Sequence, residues 1–152
     1  MKPLPNIPKS VLITRPQGDI GLKYLEVWSQ NIIEVARKKG ATVLNLFAHR
    51  ANRKELEKMI KKNDPDLIVL NGHGDYDLIT GQNMEILVRA NDNHKILSGA
   101  IVYAISCRSA KILGKSVASQ GNRAYIGYLE DFIFYYDETK VYHPLEDKKA
   151  KL

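Results

Sequence analysis

Two apolar runs constrain this chain more than anything else in it, because each ends in a side chain able to do chemistry. They are Leu67-Ile-Val-Leu-Asn-Gly-His73-Gly74-Asp75 and Ala100-Ile-Val-Tyr-Ala-Ile-Ser106-Cys107-Arg108. Four or more consecutive aliphatic or β-branched residues bounded by turn signals suit a strand covered on both faces, so both runs are predicted to be interior strands. His73 and Cys107 then stand at the carboxyl ends of two strands, the edge at which open α/β sheets place their ligand and reaction sites. If the strands are neighbours, the only cysteine and a histidine held between glycines meet across 34 positions. A cysteine nucleophile with a histidine partner requires that arrangement.

The rest of the chain supplies the sheet. Ser10–Thr14 reads as a short strand ended by Arg15-Pro-Gln-Gly18, and Leu22, Leu25, Trp28, Ile32, Val35 and Ala36 recur at helical spacing up to Lys39, with Gly40 as the stop. Thr42–Phe47 is a second strand, and Asn52 caps a helix running through Lys62. Strands alternating with helices of this length imply parallel pairing, and the fold class expected is an α/β three-layer sandwich with a mostly parallel sheet, in one domain over residues 1–152. Leu78–Gly81 and Met84–Arg89 are expected to form a hairpin, Ser109–Ala118 a helix, and Ala124–Tyr128 a fifth strand. Leu129–Tyr136 is aromatic and ambiguous. Glu146–Leu152 reads as the opening turns of a helix, and a further C-terminal portion is expected beyond it.

Length and composition fit a globular domain. With 152 residues, 44% hydrophobic and 26% charged, the chain can bury a real core. It carries no apolar stretch of membrane-spanning length and no signal-like start, and one cysteine suits a reducing compartment, so a cytoplasmic location is expected. The net charge of +6 is concentrated in residues 1–62, with 13 Lys/Arg against 5 Asp/Glu. Much of that excess falls late in helices or on their polar faces, where Glu57 is spaced to pair with Lys61. Nucleic acid is therefore not the expected partner, and the aromatics from Tyr125 to Tyr136 lack the interleaved basic residues of a base-stacking surface. His49, His94 and His143 lack the context of His73, and with one cysteine they offer no zinc spacing, so neither a metal nor a cofactor is expected.

His73-Gly74 after one apolar strand and Ser106-Cys107 at the end of the next long one resemble the catalytic motifs of the caspase-like cysteine peptidases. That superfamily includes caspases, metacaspases, gingipains, separases and CHAT domains. Ala104-Ile-Ser-Cys-Arg-Ser-Ala-Lys-Ile-Leu-Gly114 is most similar to the CHAT and gingipain-like branch. Of the caspase signature Gln-Ala-Cys-[Arg/Gln/Gly]-Gly, Cys107 and Arg108 match, with Ile105 and Ser109 at the glutamine and glycine positions. The resemblance spans roughly residues 9 to 136, and its specific part is about a dozen positions. It implies a caspase-like fold and a cysteine endopeptidase working through a thioester acyl-enzyme on a protein or peptide substrate, with regulation by a partner, a fused region or self-association among the expectations. Cys107 would be the nucleophile, His73 the general acid for the leaving amine, and the N–H groups of Gly74 and Cys107 the oxyanion hole.

Each role has a plainer competitor. A buried cysteine at a strand end is commonly a small packed hydrophobe, and Asp75 is an ordinary turn residue as well as a neighbour able to bias the His73 ring. No third catalytic member is evident. For the substrate pocket, Arg15 after the first strand would pair with an acidic P1 side chain, whereas Glu130 or Asp131 after the fifth strand would take a basic one, and Asp75 is a further candidate substrate contact. The resemblance leans toward basic. Two other readings stay open: a non-catalytic caspase-like interaction or signalling module assembled through its aromatic C-terminal segment, and a flavodoxin-like or receiver-like domain, the receiver disfavoured by the absence of an acidic cluster after the first strand.

Overall fold

The computed structural model describes residues 7–121 and 123–150. Among them, β1 (Ser10–Arg15), β2 (Thr42–Phe47), β3 (Leu67–Asn71), β7 (Ile101–Ile105) and β8 (Ala124–Ile126) form one sheet in the order β2-β1-β3-β7-β8. Every pairing in it is parallel. Between β3 and β7, a small antiparallel sheet is made by β4 (Gly74–Asp75), β5 (Leu78–Thr80) and β6 (Ile86–Arg89). The expected hairpin is thus present, with the residues just after His73 as its third strand.

The connections divide by direction. The crossover from β1 to β2 runs through α1 (Ile20–Lys38) on one face, and those moving the other way run through α2 (Arg53–Asn63) and α3 (Lys115–Ala118) on the opposite face. Right-handed crossovers require this division, and it makes the gap between β1 and β3 the point where chain direction switches. Leu12, Ile68, Leu70, Val102 and Ala104 pack with Leu56 of α2 and Val117 of α3, while Val11, Ile13 and Val69 pack with Ile33 of α1. Alternation along each strand therefore feeds two cores, which is why the runs are apolar throughout. The α/β layered architecture is as expected. No helix among the described residues is long and apolar enough to cross a membrane.

Local signals hold α1 and α2 in place. The Asp19 carboxylate accepts from the Leu22 N–H (3.0 Å) at the start of α1, and the Asn52 side chain accepts from the Glu55 N–H (2.9 Å) at the start of α2. Glu57 takes Arg53 at 2.8 Å where Lys61 was expected, because Arg53 also bonds both oxygens of Asp92 and so already faces that side.

One expectation changes. Residues 109–118 are helical, but they open with a π turn over Ala110–Gly114, the Gly114 N–H donating to the Ser109 carbonyl (2.9 Å). At the C-terminus, Pro144–Glu146 make one 3-10 turn, after which the buried Asp147 carboxylate accepts from the N–H groups of Lys149 and Ala150 (2.9 and 3.2 Å), the pattern of a helix N-cap; residues 151 and 152 of the expected helix opening lie outside the described part.

Asp147 is the anchor of a strap. Its other oxygen accepts from the Tyr24 hydroxyl (2.5 Å) and the Asp137 N–H (2.7 Å), holding residues 132–150 over α1 and the face of β7. Phe134 packs tilted against Tyr24 and edge-on to Trp28, with ring centres 5.2 and 5.1 Å away. Burial pushes the Asp147 carboxyl up, but the bonds from Tyr24 and three N–H groups outweigh it and hold it below its ordinary value of 3.8. A carboxylate depressed by folding stabilises above its unfolded pKa, and the contribution is lost as pH falls through the folded value. Trp28, the only tryptophan, is expected to change its fluorescence on acidification below about pH 3.8, and Asp147→Asn to show the altered signal already at neutral pH; an unchanged neutral spectrum in the variant would place the anchor elsewhere.

Candidate active site

β3 and β7 are adjacent and in register, Asn71 opposite Ile105, so residues two beyond each strand end leave the sheet at the same height. Those residues are His73 and Cys107. Both line one cavity of 130 Å³ at the carboxyl edge, with Leu22, Leu25, Ile105, Phe132 and Phe134 among its walls. Cys107 is half-buried and forms no disulfide.

The two glycines around His73 answer to packing inside the protein. A side chain at Gly72 would collide with the Thr80 carbonyl oxygen, and one at Gly74 with the Cys107 carbonyl oxygen and, at 2.9 Å, the Ser106 side chain. Gly74 therefore allows the histidine loop to lie directly on the Ser106–Cys107 turn. At Gly74 the β4–β5 pair is of the non-hydrogen-bonded kind, the Thr80 N–H donating to His73 beside it (2.8 Å), so the Gly74 N–H points away from β5. Among the described residues no acceptor lies on the Cys107 N–H.

A third group joins the pair, and sequence reasoning missed it. The Asp19 carboxylate accepts from His73 Nε2 at 2.5 Å, across 54 positions. A carboxylate has no proton to give, so Nε2 carries the hydrogen and Nδ1 is the basic nitrogen. Asp19 lies in the loop after β1 and His73 in the loop after β3, on the two sides of the switch point. Burial raises the Asp19 carboxyl, but bonds from the Leu22 N–H, the His73 ring and the Gly21 N–H, with the His73 charge, hold it below its ordinary range. Asp19 could have been sought as a helix-capping aspartate at the same sheet edge; nothing in its spacing marks it as a partner of His73.

Buried polar groups fix the two loops from below. Asn71 donates from its side chain to the Thr14 carbonyl (2.8 Å) and Ser29 Oγ (2.9 Å), and its N–H donates to Thr14 Oγ1 (3.0 Å), tying β3 to β1 and α1. Under the cysteine, Ser106 Oγ bonds Ser109 Oγ (2.8 Å), which bonds the Tyr125 hydroxyl (2.9 Å). Burial pushes Tyr125 up to about 12, so it remains a neutral phenol at neutral pH. Its ring lies 2.8 Å from where a side chain at Gly114 would begin, which explains the glycine in the turn after Cys107.

The charged residues expected to read the substrate lie elsewhere. Arg15 is buried, its guanidinium donating to the Glu26 carbonyl (3.1 and 3.2 Å) and lying over the Phe47 ring. Arg108, in the left-handed region at φ 57°, turns back between Asp131 (2.8 Å) and Asp75 (3.8 Å) over Tyr76, and Lys111 pairs with Glu130 at 3.0 Å. Asp75, Glu130 and Asp131 thus form an ion-pair cluster around the turn after Cys107, and none of them or Arg15 lines the cavity. Among the described residues no group of three or more His, Cys, Asp or Glu could hold a metal ion.

Asp19 has two separable roles, cap and imidazole partner. Asp19→Ala is expected to lower stability by about 1 kcal/mol through the lost cap, and Asp19→Asn by a few tenths, since asparagine caps as well as aspartate. Urea unfolding of the two variants checks this; equal losses would make the charge on His73 the larger contribution.

No family model matches this chain, and no curated protein matches it in sequence, so the chemistry of the site rests on its own geometry.

Proposed function

We propose that the protein is a cysteine endopeptidase of caspase-like type, with Cys107 as nucleophile and His73 as its proton carrier, acting in a reducing compartment such as the cytoplasm. One observation carries the reading: the in-register β3–β7 pair brings His73 and Cys107 to one cavity, with Asp19 bonded to Nε2 of the imidazole. A nucleophile, a base and a group that orients the base is the recurring pattern of covalent catalysis. Two unused donors support the reading further: the Gly74 N–H, which points away from β5, and the Cys107 N–H, which has no acceptor among the described residues.

The steps follow from these groups. The Cys107 thiol loses its proton to His73 Nδ1, and the thiolate attacks the scissile carbonyl carbon. The carbonyl electron pair moves to oxygen, which the Gly74 and Cys107 N–H groups stabilise; preorganised donors of this kind are worth about 3 kcal/mol each. Collapse breaks the C–N bond, His73 returns the proton to the departing amine, and a thioester remains. Water then attacks the thioester as His73 takes its proton, and the thiolate leaves with release of the carboxylic acid. Asp19 holds the ring in the tautomer that keeps Nδ1 basic and offsets the imidazolium charge.

A second reading has its own observation. Ile133 and Tyr135 of the strap are 76% and 82% exposed, and an apolar surface of that kind suits a non-catalytic module that associates through it. Incubation with a denatured protein substrate separates the two. The peptidase is expected to yield fragments that Cys107→Ala abolishes and that His73→Ala reduces at least a hundredfold, the scale of general acid–base assistance. Fragments from Cys107→Ala, or an inert wild type that self-associates with concentration in sedimentation, would sink the peptidase reading.

A further inference from the structure

We infer that this site, if it is the peptidase centre proposed above, selects an uncharged apolar side chain at P1. The cavity shared by His73 and Cys107 is walled by Leu22, Leu25, Ile105, Phe132 and Phe134, and it contains no carboxylate and no fixed cation. Its 130 Å³ falls below the roughly 300 to 1,000 Å³ of sites that enclose a whole small molecule, so it takes part of a substrate, one side chain beside the attacked carbonyl.

Charge recognition at this cavity fails on two counts. A lysine, arginine or aspartate side chain entering it would leave water without an uncommitted opposite charge to meet, and such burial is strongly unfavourable. The charges nearby are already paired: Asp19 with His73, Arg108 with Asp131 and Asp75, Lys111 with Glu130, Arg15 with Glu26. A basic P1 side chain would have to displace His73 from Asp19 or Arg108 from its two carboxylates, and an acidic one would have to draw Arg15 away from Glu26 and from over the Phe47 ring. An apolar side chain needs neither and removes its own surface from water against Phe132 and Phe134. The strap, anchored at Asp147, thereby becomes a specificity wall, because it delivers both phenylalanines to the cavity.

Phe132 is the position at which to test this, since it is half-buried and its ring contacts are Tyr128 (4.9 Å) and Phe134 (6.0 Å), both close to the strap itself. Four peptides differing only at P1, with leucine, phenylalanine, lysine or aspartate, are compared by kcat/KM, and cleavage positions are mapped in a denatured protein. The expected result is a preference for leucine or phenylalanine of at least tenfold over lysine and aspartate. Phe132→Glu is expected to narrow the leucine-to-lysine ratio at least fivefold, while Phe132→Leu leaves it within twofold; thermal melts of both variants confirm the fold. Cleavage that depends on Cys107 and His73 but follows lysine or aspartate would overturn the apolar pocket and leave the peptidase intact. So would a ratio indifferent to a folded Phe132→Glu. Absence of cleavage in every peptide and in the denatured protein would overturn the peptidase reading itself.

Discussion

A slip of one residue in the β3–β7 ladder would set His73 level with Ser106 or Arg108 and turn the two reactive side chains to opposite faces, because side chains alternate along a strand. The Asn71–Ile105 pairing therefore determines whether there is a site at all. Two devices hold it. Asn71 is bonded to Thr14 and Ser29 just below the histidine loop, and Gly74 admits the Cys107 carbonyl where any side chain would exclude it. The histidine loop and the cysteine turn are thus packed on each other, not merely near each other. Parallel pairing contributes evenly spaced bonds along the ladder, and the two apolar cores on its faces keep that ladder dry.

Asp19 links this edge to the topology of the sheet. The change of chain direction between β1 and β3 leaves a crevice above them, and the two loops that border it supply the carboxylate and the imidazole. The same carboxylate caps α1, so the helix that covers one face of the sheet and the residue that orients His73 share one side chain. Electrostatics at the edge are arranged in two zones. Charged groups pair with one another around Arg108, where the left-handed backbone turns the chain away from β7, while the space in front of the thiol stays apolar.

What the sequence made legible follows from burial. The strands at 67–71 and 101–105 could be read because they lie inside the sheet with both faces covered, which leaves long apolar runs, and those at 10–15 and 42–47 from shorter apolar runs between turn signals; Asn52 and Gly40 could be read because helix ends need a cap and a stop. His73 and Cys107 were legible as strand-end residues. Asp19 was not, because its partnership depends on the order β1-β3-β7, and that order leaves no mark in local spacing. Arg15, Asp75, Glu130 and Asp131 looked like substrate contacts as long as only their charges were known; partners far apart in the chain neutralise them. The strap was ambiguous because Phe132 to Tyr136 alternates inward and outward with no neighbouring strand, its hold coming from Asp147, more than ten residues further along.

The most direct measurement is the rate at which iodoacetamide alkylates Cys107 at neutral pH in wild type and in His73→Ala, with circular dichroism showing that both are folded. If His73 takes the thiol proton, the variant should react at least tenfold more slowly. Equal rates would mean that the imidazole and the thiol share a cavity without sharing a proton, and would contradict the dyad.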